Sequence, residues 1–545
     1  MKMTVSQAMV ECLKAENVKV VFGYPGAAIC PFYDALLDAE NDIRQVLVRQ
    51  EANGGHAANG YARISGKPAV CIATSGPGAT NLITAIATAY ADSIPIVCIT
   101  GQVNTDQIGS DVFQEADITG SAEPFVKHSY LLKDPEDTAR VFKEAFYIAG
   151  TGRPGPVLID IPMDVQKAVI DFEYPEKCKI KCKIRSYKPT TKGNYVQVRR
   201  VMAALEEAEK PLICIGGGVF AAHAENEIRE LADLMQIPVI TTMMGISVFP
   251  DDDQLFCGMI GTHGVKMANA AVNECDVLFL VGARVGDRAV KTPLALEKTT
   301  KIIHIDIDPA EIGKNIGADL PLVGDAKLVL QQMTELAKPM KHDEWIAHIK
   351  TLGGERKYVE PAKGTVNPRV FIDRFAKKMP ANVTVVADVG QNQIWTCTEY
   401  KFRKEGRLLT SGGMGTMGYS VPAAIGAKMA DNSRATVAIC GDGAFQMSFM
   451  ELATAVQFGV DIKVVVMTNN RLGMVRELQT NGYHDRQTAV FLDGSPDFIK
   501  LAEAYGIPAM RVYDDATMEK GVEMLAEHKG ICLVEVVVDK DMPTL

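Results

Sequence analysis

Two tryptophans in 545 residues, no apolar run of about 20 residues and no block of basic charge: the chain lacks the features that mark membrane spans and nucleic-acid surfaces. A net charge of -10 and a pI near 5.5 argue against binding to polyanions or anionic membranes, so small molecules are the expected ligands. The amino terminus, MKMTVSQAMVECLKAENVKVVFGYPG, has no charged, apolar and small-residue regions of a secretory signal. Paired cysteines are also missing. The twelve thiols are scattered, and Cys71, Cys98, Cys214, Cys440 and Cys532 sit in apolar segments as reduced core residues. Only Cys178 and Cys182, in CKIKC, are close, and no nearby His or Cys completes a zinc site. A cytoplasmic setting, with no membrane and no nucleic acid, is the expectation.

What is present is a chain too long for one core, with an ordinary 47% hydrophobic and 23% charged composition. Apolar runs such as KVVFGY, AVCIATS, PIVCITG, PVLIDI, PLICIGGG, VLFLVGA, KIIHIDID, TVVADVG, ATVAICGDG, DIKVVVMTNN and CLVEVVV alternate with helical patterns. That alternation predicts α/β architecture, doubly wound parallel sheets covered by helices on both faces. Two polar stretches, about 170–193 and 338–366, read as linkers. They divide the chain into three domains, expected at 1–180, 190–337 and 366–545.

In open parallel sheets, ligands sit beyond the carboxyl ends of strands, where glycine turns and helix amino termini present N–H groups. GYPGAA, TSGPGAT, GGGV, GARVGDR, DVGQNQ, SGGMGTMG and GDGAF are turns of this kind, each weak by itself. The most informative is VAICGDGAF, where Asp442 stands alone between Gly441 and Gly443 at the end of an apolar strand. The next apolar strand ends at Asn469 and Asn470, an interval that fits a helix and a strand and returns the chain to the same sheet edge. A carboxylate, an amide oxygen and a backbone carbonyl are hard ligands suited to Mg²⁺ beside phosphates. Equally open from the residues alone is a helix cap at Asp442 and a turn at the two asparagines.

The GDG and NN pair at this spacing resembles the diphosphate and metal motif of thiamine-diphosphate enzymes. FGYPGAAI, GHAANGYAR, CIATSGPGATNL, TGQV, FQE, GRPGPVLIDIP, GARVGDR, DIDPAEI, SGGMGTMGY, GDGAFQM, ELATAV and LGMV extend the match across nearly the whole chain. Together they resemble the acetohydroxyacid synthase (acetolactate synthase) catalytic-subunit family. The resemblance implies a pyrimidine-binding domain, a central domain with structural, non-redox FAD, and a pyrophosphate domain. The activity it implies is decarboxylation of pyruvate and ligation of the two-carbon unit to a second pyruvate, giving 2-acetolactate, or to 2-oxobutanoate, giving 2-aceto-2-hydroxybutanoate. This is the chemistry of branched-chain amino-acid biosynthesis.

By that resemblance Asp442, Asn469 and the Arg471 carbonyl ligate Mg²⁺, and Gly390, Gln391 and Asn392 approach the diphosphate, with Asn392 where the family usually has His. Glu51 is implied as the carboxyl on the pyrimidine N1', with a pKa raised by burial. Met417 would hold the cofactor bent, and the Gly415 carbonyl would accept from its 4'-amino group. Pro25, Gly26, Gly76, Asn81, Val389, Gly441, Gly443, Ala444 and Met474 complete the implied thiamine-diphosphate contacts. Arg288 is implied as the grip on the acceptor carboxylate, with Phe113 and Gln114 lining the same pocket. Arg153, Gly216, Gly217, Gly218, Thr242, Met244, His263, Gly282, Arg284, Asp306 and Asp325 are implied as FAD contacts. Active sites shared between two subunits imply a homodimer or homotetramer, and the family implies a regulatory small subunit.

Four further positions depart from the family pattern. Leu478 stands for a Trp that selects the larger acceptor, Met163 for a Lys, Thr262 for a Met, and Gly286 for an acid in RFDDR. Weaker preference for 2-oxobutanoate, resistance to sulfonylurea-type inhibitors and weaker FAD binding are the expectations. The chain ends at VVVDKDMPTL, where family members continue into a covering tail, so looser closure or cover by another subunit is expected. Pyruvate oxidase or decarboxylase chemistry, a flavin-free catabolic synthase and a catalytically silent partner are the competing readings. Arg288, Phe113, Gln114, the FAD positions and an intact Glu51, Asp442 and Asn469 favour carboligation over them.

Overall fold

Three six-stranded sheets carry the chain in a computed structural model that describes residues 1–175, 184, 187–290, 292–354 and 358–545. Every strand pair within them is parallel. The first sheet contains β1 (Val20–Tyr24), β2 (Arg44–Leu47), β3 (Ala69–Ala73), β4 (Ile96–Gln102), β5 (His128–Leu131) and β6 (Val157–Pro162), in the order β2-β1-β3-β4-β6-β5. The second contains β7 (Pro211–Ile215), β8 (Val239–Thr241), β9 (Phe256–Met259), β10 (Val277–Val281), β11 (Lys301–Asp306) and β12 (Leu320–Val323), ordered β9-β8-β7-β10-β11-β12. The third contains β13 (Thr384–Ala387), β14 (Arg407–Thr410), β15 (Thr436–Gly441), β16 (Lys463–Thr468), β17 (Ala509–Val512) and β18 (Cys532–Val537), ordered β14-β13-β15-β16-β18-β17. The doubly wound α/β expectation therefore holds.

Central strands such as β6 and β16 are buried at every position, which is why they read as unbroken apolar runs. The second sheet has the strand order of dinucleotide-binding folds. The first and third share one order with each other. In each sheet the order reverses between two inner strands, β1 and β3, β7 and β10, β13 and β15, and a crevice opens beyond their carboxyl ends.

The helices that position the site are α1 (Glu51–Ser65), α2 (Ile83–Asp92), α3 (Gln391–Glu399), α4 (Ser420–Ala430), α5 (Glu451–Phe458) and α6 (Gly473–Gly482). Small residues in GGHAANGYA of α1 and SVPAAIGA of α4 let the two backbones touch. A Cβ at Gly60 would strike the Ala423 carbonyl, and one at Gly426 would strike the Ala57 carbonyl. Asn59 Oδ1 accepts from the Tyr419 hydroxyl at 2.8 Å. Positions rise along α1 as their partners fall along α4, so the helices run antiparallel. Both begin at the carboxyl edge of their own sheet, and the carboxyl edges of the first and third sheets consequently point to opposite ends of the chain.

Contacts elsewhere agree with that arrangement. Asp92, at the carboxyl end of α2 and hence at the amino edge of the first sheet, accepts from Gly413 N at 2.7 Å and pairs with Arg63 at 2.7 Å. Gly413 belongs to the loop after β14, at the carboxyl edge of the third sheet.

The polar stretch read as a second linker is partly ordered on the central domain. Asp343–Thr351 is a helix whose Trp345 and Ile349, one turn apart, are buried, and Trp345 Nε1 donates to Pro211 O at 3.0 Å. Two apolar residues on one face suffice to dock it, despite its polar composition. Cys178 and Cys182 lie outside the described residues. Replacing Gly426 with Val should force α1 and α4 apart and lower unfolding free energy by about 3 kcal/mol, measurable by urea denaturation. An unchanged midpoint would mean that this packing is not tight.

Candidate active site

The implied metal and diphosphate residues meet at the reversal point of the third sheet. Parallel pairing of β15 with β16 sets Gly441 beside Met467, so Asp442 and Asn469 leave the same edge on neighbouring strands. Asp442 is almost fully buried. Its Oδ2 accepts from Asn470 N at 2.6 Å and Asn469 N at 3.1 Å, and its Oδ1 accepts from Gly443 N at 2.9 Å. Burial raises its pKa to about 6 against the pull of those N–H groups. Among the described residues it enters no ion pair. A buried carboxylate without a cationic partner, on the strand end next to Asn469, is a chemical fit for a divalent ion.

Asn469 Oδ1 accepts from Arg471 N at 3.1 Å, which turns the chain so that the Asp442, Asn469 and Arg471 backbones converge. The Arg471 guanidinium points away, to Asp493 at 3.0 Å and the Asn470 carbonyl at 2.7 Å. Met417 and Leu472 press on the turn: a Cβ at Gly443 would come within 3.5 Å of Met417 Cε and 2.8 Å of Leu472 Cδ2. Ala444 is buried in the short turn that follows.

On the neighbouring strand, Val389 and Gly390 (φ +141°) lead into α3, whose first-turn N–H groups face this edge. The side chains of Gln391 and Asn392 are turned inward. Gln391 Nε2 donates to Met542 O at 2.9 Å, and Asn392 Nδ2 donates to Asp388 O at 2.8 Å and Ile439 O at 3.2 Å. Gln391 Oε1 also accepts from Asn469 Nδ2 at 3.2 Å, so both side chains are engaged and backbone N–H is what these residues offer a diphosphate. The last residues of the chain pack here as well: Trp395 Nε1 donates to Pro543 O at 3.1 Å, and Arg369 donates to Thr544 O at 2.7 Å.

The implied pyrimidine residues gather at the carboxyl edge of the first sheet. Pro25 and Gly26 follow β1, with Gly26 packed against Thr74, and Gly76 (φ +57°) follows β3. Glu51 is the first residue of α1, after a Gln50 cap, and accepts from Asn81 Nδ2 at 3.0 Å. Gln114 (φ +60°) packs its backbone against Gly76, and Phe113 beside it is 86% exposed. Met163 begins the helix after β6 at this same edge. One chain does not bring Glu51, Phe113 and Gln114 to Asp442, because the two edges face opposite ways.

All residues implied for FAD except Gly216 line one cavity of about 1380 Å³. Gly216 serves packing, since a Cβ there would meet the Gly282 carbonyl, and Gly282 itself has φ +54°. Arg153 is held by Glu311 at 2.7 Å and Ser93 Oγ at 2.8 Å. Asp306, at the end of β11, has its pKa raised to about 6 by burial, and Asp325 caps a helix through Leu328 N at 3.1 Å. The same cavity reaches Arg288, Thr262, Val389, Gly415, Met474 and Leu478, joining the central crevice to the third-sheet edge. Gly286 also lines it and has no atom within 4 Å of a built Cβ.

Three acids were not singled out from sequence. Asp388 is fully buried, its pKa raised by burial, and accepts from Val389 N, Gly418 N and Ser420 N at 2.9, 3.0 and 2.8 Å, tying the DVG turn to the SGGMGTMG loop. Its strand-acid-glycine setting repeats that of Asp442 with the acid one residue earlier, which was the available signal. Asp160, with a pKa raised to about 7 by burial, accepts from Gln102 Nε2 at 2.9 Å, and that amide also donates to Ala116 O at 2.8 Å, two residues after Gln114. The third, Glu451, anchors the turn before α1.

Two such carboxyl edges flanking a dinucleotide-type sheet define a thiamine pyrophosphate enzyme. The sequence matches the N-terminal TPP binding domain, the central domain and the C-terminal TPP binding domain of that class over residues 3–121, 198–333 and 388–536. It is 44% identical to a probable acetolactate synthase large subunit of Methanocaldococcus jannaschii, covering 98% of this chain and 92% of that protein. Identity is 42% to an acetolactate synthase of Arthrospira platensis (99% and 95% covered) and 43% to an acetolactate synthase large subunit of Corynebacterium glutamicum (94% and 83%). The chain belongs to the acetolactate synthase large-subunit family. No helix among the described residues is long and apolar enough to cross a membrane.

Replacing Asp388 with Ala would strand two buried N–H groups, of Gly418 and Ser420, and the part-buried one of Val389. We expect a loss of about 3 kcal/mol in urea denaturation and faster amide exchange over residues 411–420. Unchanged exchange in that loop would remove Asp388 from its support.

Proposed function

We propose that this chain is a catalytic subunit that decarboxylates pyruvate and joins the two-carbon unit to a second 2-oxo acid, giving 2-acetolactate or 2-aceto-2-hydroxybutanoate for branched-chain amino-acid synthesis. One observation carries the ligation: the central cavity brings the Arg288 position together with Val389, Gly415 and Met474 of the third-sheet edge. Arg288, whose guanidinium stands 3.6 Å from Asp287, would turn to bind an acceptor carboxylate there.

Thiamine diphosphate, when bound, supplies the thiazolium ring that takes up the electrons released as carbon dioxide leaves. Asp442, Asn469 and the Arg471 carbonyl would hold Mg²⁺, and the first-turn N–H groups of α3 would bind the diphosphate. The uncompensated buried charge of Asp442 supports that reading. Met417 would support the ring from the side of Gly443. Glu51 would hold a proton at the pyrimidine N1', steadied by Asn81. FAD would fill the central crevice as a structural group, since the ligation has no net redox change. The cavity volume, its lining and the strand order support this assignment.

The opposed carboxyl edges support a composite site. Glu51 of one copy would serve the Asp442 edge of another, and a two-fold dimer would form two such sites. A regulatory small subunit is part of the proposal on the strength of the large-subunit names alone.

Product analysis tests the reaction. With pyruvate, thiamine diphosphate and Mg²⁺ the protein should form acetolactate, more with FAD, and Glu51→Gln should lower the rate by at least about 100-fold. Acetaldehyde or acetate without acetolactate would contradict the acceptor role of Arg288. Leu478, 65% exposed at the cavity, should accept Trp without loss of stability. Leu478→Trp should raise the preference for 2-oxobutanoate over pyruvate by about 10-fold in a competition assay and confer sulfonylurea sensitivity. No change in either would remove this position from acceptor selection.

A further inference from the structure

The turn that carries Glu51 is fastened to a helix of the third domain. Glu451 opens α5 nine residues after Asp442 and is fully buried, with no ion pair among the described residues. Its Oε1 accepts from Arg49 N at 2.9 Å and from Asn53 Nδ2 at 3.0 Å, two residues to either side of Glu51. Its Oε2 accepts from Thr454 Oγ1 at 2.6 Å. Around it, the Arg49 guanidinium donates to Gln457 Oε1 at 2.6 Å and Arg44 to Phe458 O at 2.7 Å. A carboxylate taken out of water without a cation is costly unless its hydrogen bonds are made in full, and such a group fixes whatever donates to it. Here the donors are the backbone before α1 and a side chain in its first turn.

We propose that Glu451 is the positioning residue for Glu51, and that it acts on the active site of the other copy. The inference rests on the composite site proposed above. Glu451 follows the Asp442 turn in sequence, yet the acid it aligns faces away from that turn. A change at Glu451 therefore damages the site completed by the second chain and spares the one holding its own Asp442.

Glu451→Ala should lower kcat by about 10- to 100-fold with KM for pyruvate within about twofold. In the cofactor-free protein it should speed amide exchange over residues 47–54 but not over 388–396. Glu451→Asp, one methylene shorter, carries the same test if the alanine variant does not fold. The deciding experiment is a hybrid dimer of one Glu451→Ala chain and one Asp442→Ala chain, purified through two tags. One composite site then has an intact Asp442 and a correctly aligned Glu51, so about half of wild-type activity should return. A Glu51→Gln with Asp442→Ala hybrid is the control and should recover the same half. An active control with an inactive Glu451→Ala hybrid overturns the proposal, as does unchanged exchange over 47–54 or undiminished kcat. An inactive control overturns the composite site itself.

Discussion

The contact between α1 and α4 sets the rest of the structure. Gly60 and Gly426 allow two helices to meet backbone to backbone, and their antiparallel run turns the first and third sheets end for end. Each sheet presents a ligand-binding edge, and the two edges of one chain cannot face one ligand. Packing of small residues thus decides something chemical, namely that a site needing both edges needs two chains.

The same economy appears in the electrostatics. Asp388, Asp442 and Glu451 are buried and enter no ion pair among the described residues, and each is held by backbone N–H groups or neutral side chains. Asp388 and Glu451 spend their hydrogen bonds on structure, one on the loop bearing Gly415 and Met417, the other on the turn bearing Glu51. Asp442 keeps its charge beside Asn469 at an open edge. All three acids are held by the same kind of donors, and Asp442 alone of them stands next to Asn469 on a neighbouring strand end, which is why the proposed cation falls to it.

The inner strands were legible in the sequence because burial on both faces leaves only apolar residues. The edge strands β2, β5, β9, β12, β14 and β17 were not, since each has four residues and several are half-exposed. The GDG and NN pairing was legible from spacing, because one helix and one strand fix the return to the same edge. The inward turn of Gln391 and Asn392 was not, because it depends on carbonyls of Ile439 and Met542 brought near only by the fold. Trp345 shows the converse case, where a polar stretch with two well-spaced apolar residues docks as a helix.

The most direct test of this account is a crystal structure with thiamine diphosphate and Mg²⁺ bound. The metal should lie between Asp442 and Asn469 of one chain, with the Glu51 at that cofactor supplied by a second chain. Glu51 and Asp442 of the same chain on one cofactor would contradict it.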